Sequence, residues 1–476
     1  MDKYIIGVDN GSQSTKVMIF NQHGDVVVSA SEPLRPMMHR EFGWVEHPDD
    51  DLWNSVLNVL KTVMSKFKGD PAQIVGLGLC TIRCCRVFMK KDGSLAEPVM
   101  SWMDVRSYTP FENREDIAYT CPTTGYVTYK LTGELRDTAA NAFQWQFPID
   151  VNTWKWSENK EHFDSFKIPR EKLLDLQMPG TILGHVTKAV AAETGLPVGL
   201  PVVATGNDKA VEALGAGLVK KGIGLVSCGT YMASMVHGDN YIDSPSAFWT
   251  NLSCVPNEYL YESTGIRFGM RHVSWFKEIL GEELDKAAQS QGLILEEYLA
   301  NEAKDVPAGS GGLLIVPDWL APATDLHRKG MILGLTDQTA RSHIYKAILE
   351  GIVLSIKNCY EAMTSELGIV PSKVIISGGG SNSAMMMQIY ADALGVPTMR
   401  NEINGAVSMG SAICAAVATG LYKDFREAVE NMVKQRDEFT PNMDNHKIYA
   451  KINDGIYKQL PALMENILKQ AHEATS

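Results

Sequence analysis

One short turn occurs twice in this chain, once in each half. The first copy is Gly7-Val8-Asp9-Asn10-Gly11-Ser12, with β-rich Tyr4–Val8 before it and Val17–Phe20 after it. The second is Ser227-Cys228-Gly229-Thr230, between apolar Leu225-Val226 and Tyr231–Val236. Each places a glycine and a hydroxyl at the tip of a tight hairpin. Glycine tolerates positive φ and lets an anion approach the backbone closely. Successive backbone N–H groups and a hydroxyl at such a turn make a concave anion site. One Gly-Ser hairpin alone is usually structural. Two of them in separate halves point to two lobes gripping one polyphosphate. A carboxylate sits between them, in Gly206-Asn207-Asp208.

A chain of 476 residues suggests two or three domains rather than one core. At 45% hydrophobic and 21% charged it reads as an ordinary globular protein. The formal charge of -12, from 44 basic and 56 acidic residues, argues against a general nucleic-acid or anionic-membrane surface. A local basic pocket for phosphate is still allowed. No apolar run is long enough to span a bilayer. The start, Met1-Asp2-Lys3-Tyr4, enters a strand at once without a signal-peptide pattern. The eight cysteines lack zinc-like spacing, and Cys84-Cys85 is adjacent. A cytoplasmic protein with reduced thiols is the simple reading. The histidines show no HxxxH or HExxH pattern, so no transition-metal site is visible. Any Mg²⁺ would need carboxylates plus substrate phosphate.

The order of elements indicates α/β. Three strands, Tyr4–Val8, Val17–Phe20 and Val26–Ser31, precede an amphipathic helix opening near Pro48-Asp49-Asp50. Ile74–Cys80 reads as a buried strand with Arg86–Met89 as its partner. Trp145, Trp154 and Trp156 read as a packed aromatic wall. Val202–Thr205 is a short strand leading to Asp208, and Lys209–Leu218 a helix rich in small residues. The second half repeats the scheme: the hairpin Leu225–Val236, the strand Leu313–Val316, the long helix His343–Leu367, the strand Val374–Ser377 running into Gly378-Gly379-Gly380, and a small-residue helix Ser408–Thr419. The boundary falls near Lys220-Lys221-Gly222, giving domains 1–220 and 221–476. A Rossmann reading of Gly378-Gly379-Gly380 fails, because no third glycine falls at the required spacing and no early βαβ fingerprint exists.

Taken together these residues resemble the FGGY carbohydrate kinases, a branch of the actin-like ATPase superfamily. The most specific element is Gly330-Met331-Ile332-Leu333-Gly334-Leu335, seven residues, then His343 to Glu350, which fits the family's C-terminal signature. Gly43-Trp44-Val45-Glu46, Trp102-Met103-Asp104-Val105-Arg106, Leu131-Thr132-Gly133 and Gly378 to Ser383 support it by order and spacing. The resemblance implies two actin-like (ribonuclease H-like) domains, each a βββαβαβα core, with a cleft between them. It implies ATP-dependent phosphorylation of a hydroxyl on a small sugar, polyol or sugar acid, and a homo-oligomer.

The same resemblance assigns roles. Asp208 matches the general base, and its bland alternative is a helix N-cap. Asp9 matches the aspartate that orients Mg²⁺, with Asp208 beside it, and Lys16 the cation near the transferred phosphate. Gly11, Ser12, Gln13, Gly229 and Thr230 should touch the β- and γ-phosphates. Gly379, Gly380 and Ser383 resemble the turn that lies against adenosine. Arg83, Cys84, Trp102 and Asp104 should face the acceptor, with a buried Arg83–Asp104 pair as the structural alternative. The pattern breaks between Arg106 and Thr124, which is short and lacks the family's N-terminal signature. Cys84 stands where glycerol-specific members have glutamate, which disfavours glycerol. The stretch before the C-terminal signature is replaced by Leu320-Ala321-Pro322-Ala323-Thr324. The acceptor wall is then open, or rebuilt from 140–160. A nucleotide-binding pseudokinase or sensor on the same fold is the second reading. An actin-like ATPase acting on a protein is the third, and the signature at 330–350 weighs against it.

Overall fold

The computed structural model describes residues 2–143, 145–321 and 325–475. Strands β1 (Tyr4–Asn10), β2 (Ser14–Asn21) and β3 (Val26–Pro33) form an antiparallel meander. Helix α1 (Asp51–Lys66) then returns the chain to β4 (Ile74–Thr81), parallel to β1. β5 (Ile182–His185) and β6 (Pro201–Val203) complete a sheet ordered β5-β6-β4-β1-β2-β3. Helix α2 (Asp208–Ala216) leads to the second half.

There β7 (Ile223–Cys228), β8 (Met232–Gly238), β9 (Phe248–Leu252) and β10 (Tyr259–Ser263) form an antiparallel run in which β8 pairs with β7 and β10, and β9 pairs with β10. The long helix α3 (Arg341–Leu367) precedes β11 (Lys373–Ser377), parallel to β7. Helix α4 (Ala384–Leu394), β12 (Thr398–Asn401), helix α5 (Ala406–Ala418) and β13 (Gln435–Phe439) follow. The sheet order is β9-β10-β8-β7-β11-β12-β13. Both sheets therefore share one plan: three antiparallel strands, with two parallel strands and then an antiparallel edge strand beyond the first; the second sheet carries β9 as an extra edge outside β10.

Side-chain alternation places the layers. Ile6 and Val8 of β1 face a core shared with Leu52, Val56 and Leu60 of α1. Ile5, on the other face, joins Phe20, Val211, Met409 and Ile413. That second core mixes both halves, because α5 lies directly on β1 and β4. Gly7 and Gly78 are opposite each other in the β1–β4 register. A Cβ at Gly7 would overlap the Ser408 carbonyl, and one at Gly78 the Ser411 carbonyl. Gly215 and Gly410 meet Ala406 and Val211 backbone in the same way where α2 crosses α5. Ser411 Oγ donates to the Val8 carbonyl at 3.1 Å.

Two sequence expectations change here. Val87–Met89 pairs with Tyr119–Cys121, not with β4. Both edges of β4 are already occupied by β1 and β6. Trp154 is buried against Tyr259, and Trp156 Nε1 donates to the Leu174 carbonyl at 2.8 Å, but Trp145 is 61% exposed. Of the replaced loop, residues 322–324 lie outside the described residues.

Candidate functional site

The β1–β2 turn, the end of β4, the start of α2 and the strands β7, β9 and β10 converge on one crevice. Asn207, not Asp208, caps α2: its Oδ1 accepts from the N–H groups of Lys209 and Ala210, both at 3.1 Å. Asp208 is the first helical residue, so the cap alternative for it fails and its carboxylate is free for other work. Its Oδ1 lies 3.4 Å from Arg83 Nε. Burial raises the Asp208 carboxyl above its usual range, against the pull of Arg83 and Lys209. A carboxyl held above its ordinary range is better matched to proton exchange near neutral pH.

Arg83 turns its other nitrogens across the crevice. Its two terminal nitrogens each donate to one oxygen of Glu262 on β10, both at 2.7 Å. Glu262 is fully buried and also accepts from Trp249 Nε1 at 3.0 Å and Asn251 Nδ2 at 2.8 Å. Burial opposes its charge, but the Arg83 fork wins and holds the carboxyl below its ordinary value. Asn207 Nδ2 reaches Asn251 Oδ1 at 3.4 Å. A ring of side chains drawn from both halves thus surrounds Asp208. Lys209 is held by Glu212 at 3.0 Å and Ser227 Oγ at 2.6 Å, which ties the start of α2 to the end of β7.

Asp9 faces Lys16 across the β1–β2 ladder. Burial pushes its carboxyl up to about 7, helped by Asp208 and Glu212 and opposed by Lys16. This proton stays bound in the native state well above the unfolded value of 3.8. The contribution of Asp9 to stability therefore falls as pH rises from about 4 to about 7. Among the described residues no cluster of three or more His, Cys, Asp or Glu could hold a metal by itself. A cation here would take phosphate oxygens as its remaining ligands.

The glycines behave differently from the expectation of positive φ. Gly11, Gly229, Gly379 and Gly380 all lack it, while Gly378 has φ 84°. What marks the turns is space. A Cβ at Gly229 would meet Tyr231 O at 3.7 Å, and one at Gly379 would meet nothing within 4 Å. Gly380, by contrast, packs tightly against Cys228 and Met270. Gln13 and Thr230 are exposed, Gly11 and Ser12 half-buried. Ser383 Oγ accepts from Met386 N at 3.2 Å and caps α4.

On the acceptor side Asp104 is a correction. It is fully buried and paired with Arg106 at 2.6 Å, and it accepts from Val45 N at 2.8 Å. Neither the crevice nor Arg83 receives it. Cys84 has φ 61°, a left-handed conformation that costs a side-chain-bearing residue energy. Gln146 Nε2 clamps its carbonyl at 2.7 Å, and Arg86 donates to the Gln146 carbonyl at 2.8 Å. So Gln146, within 140–160, packs back onto Cys84 and Arg86. Trp102 is half-buried, and its carbonyl accepts from Tyr108 OH at 2.9 Å. Glu262, Asn251, Trp249 and Gln146 escaped the sequence reading. A single Glu in the strand Tyr259–Ser263 was the available signal, and it has no partner nearby in sequence.

The duplicated sheet plan, three antiparallel strands with two parallel strands added, is the actin-like, ribonuclease H-like α/β architecture. The chain belongs to the FGGY family of carbohydrate kinases, matching its N-terminal domain over residues 4–120 and 111–215 and its C-terminal domain over 224–419. It is 46% identical over 452 residues to a protein of Escherichia coli K12 named "Uncharacterized sugar kinase YgcE", covering 95% of this chain and 92% of the relative. Glycerol kinase of Pseudothermotoga lettingae is 26% identical over 511 residues, covering 94% and 97%. The fold matches the crystal structure of a ligand-bound xylulose kinase from Lactobacillus acidophilus with TM-score 0.83 at 19% identity, over 100% of both chains. A gluconate kinase from the same organism gives 0.82 at 18% identity, covering 98% of this chain and 99% of that one. The protein is a carbohydrate kinase that uses ATP. Among the described residues no helix is long and apolar enough to cross a membrane.

Proposed function

We propose that the protein transfers the terminal phosphoryl group of ATP to a hydroxyl of a small sugar, polyol or sugar acid, with Asp208 accepting the hydroxyl proton. The observation that carries this reading is the Asp208 carboxylate, released from capping by Asn207 and aimed at the crevice beside Arg83. The acceptor oxygen forms a bond to the γ-phosphorus as the bond to the bridging oxygen breaks. ADP leaves with that electron pair, and the acceptor proton passes to Asp208. Lys16, Ser12 and Thr230 line the side of the phosphates. Asp9 and Asp208 suit Mg²⁺ through water, and the ion would neutralise phosphate charge there. The space at Gly229 and Gly379 fits a nucleotide laid against bare backbone. Residues 1–220 and 221–476 act as the two domains, and hinge closure would exclude water.

A coupled ADP-release assay over ketoses, polyols and aldonic acids tests this. Acceptor-stimulated ATP turnover is expected. Nucleotide binding with no stimulation by any acceptor would instead favour a sensor.

Two further results are expected. Gly229→Ala keeps the wild-type melting temperature, since the added carbon meets only a 3.7 Å neighbour. It weakens ADP binding about tenfold, roughly 1.4 kcal/mol, by pushing phosphate off the backbone. Unchanged affinity in titration calorimetry would remove the turn from the nucleotide site. Separately, Mg-ADP affinity falls as pH drops from about 8 to about 6, because protonated Asp9 cannot face a cation. Calorimetry in buffers of different ionisation enthalpy should show proton release near pH 7, set by the Asp9 value of about 7. Asp9→Asn should abolish that release.

A further inference from the structure

Arg83 is the cation that points at the acceptor side of Asp208, and the structure commits it. Two of its N–H groups are taken by Glu262 at 2.7 Å each, and Nε turns to Asp208 at 3.4 Å. A guanidinium has five N–H donors, so two stay available for hydroxyl oxygens. Its charge, however, is already matched by a carboxylate in bidentate geometry. Lys209, the other cation acting on Asp208, is matched by Glu212. Asp208 brings a second carboxylate to Arg83 in the same crevice.

We propose that Glu262 sets the charge class of the acceptor: by saturating Arg83 from across the crevice it admits neutral polyols and ketoses and rejects sugar acids. The proposal rests on the kinase reading above and narrows it. A carboxylate entering beside Arg83 would face Glu262 and Asp208 with no unmatched cation. Like charges at that range repel strongly when partly desolvated. A neutral hydroxyl needs only the two spare donors. Glu262 acts through Arg83 and is a positioning residue. Trp249 and Asn251 hold its carboxylate in place, so it cannot swing aside to release the fork.

The test compares acceptors matched in carbon skeleton: glucitol with gluconate, ribitol with ribonate, glycerol with glycerate, with fructose and xylulose added. Turnover is read by coupled ADP release. Binding is read by tryptophan fluorescence in the presence of ADP, which Trp102 and Trp249 should report. Wild type should favour the neutral member of each pair by about tenfold or more in both readouts. Glu262→Gln frees the Arg83 charge and should narrow that ratio by about tenfold. An acid that binds as well as its neutral partner in wild type overturns the proposal, and this comparison needs no variant. A folded Glu262→Gln protein with an unchanged ratio also overturns it, as does binding of no member of the panel. Failure of the kinase reading looks different: neutral compounds bind with the stated preference and no ADP is released.

Discussion

Asp208→Asn folds, binds metal-free ADP like the wild type, and loses about 10²-fold or more in kcat, the cost of a missing general base. Folding survives because Asn207 makes the cap and Asp208 makes no capping bond. The amide keeps the size of the side chain and its place beside Arg83 Nε. What it loses is the ability to take a proton. Melting temperature, ADP affinity and single-turnover rate should be measured on one preparation. Turnover within a few-fold of wild type would end the assignment of Asp208 as the base. A parallel fall in ADP affinity would make it a binding residue instead.

Gly78→Ala is expected to destabilise the protein by about 3 kcal/mol, the upper range for forcing an extra carbon into a packed core. The added Cβ would overlap the Ser411 carbonyl, and backbone on a packed helix cannot swing away as a side chain could. Gly7→Ala, one strand over and opposite Gly78, should behave the same way through Ser408. Gly455→Ala is the control: its Cβ would meet nothing within 4 Å, and stability should hold. Thermal midpoints decide the matter. A Gly78→Ala midpoint equal to that of the control would mean that α5 does not sit on β1 and β4 as described.

The fold was legible in the sequence because its signals are local. The β-rich run of β1, the amphipathic pattern of α1 and the glycine-tipped hairpins each show within a short stretch of chain. In the strongest family marker, Gly330 to Glu350, the last residue serves packing. Glu350 is buried and accepts from Gly309 N, Ser310 Oγ and Tyr449 OH. The site was legible in part. Asp9, Asp208 and Arg83 each lie at the end or start of an element, where sequence reading looks for chemistry. Glu262 is 179 residues from Arg83, and no local pattern joins them. Asp104 misled because a carboxylate beside an aromatic motif looks like a binding group, while its partner Arg106 was two residues away. The pairing of Val87–Met89 with Tyr119–Cys121 was missed for a similar reason: proximity in sequence favoured β4, whose edges were already taken.

Helix α5 begins almost four hundred residues after the strand it covers. During synthesis the first sheet emerges with one oily face bare, and the helix that seals it is among the last core segments to leave the ribosome. From residue 203 to residue 418 that wait is roughly 10 to 40 s at ordinary elongation rates. The leading half is therefore a customer for chaperones while it waits, and expressed alone it should precipitate rather than bind nucleotide.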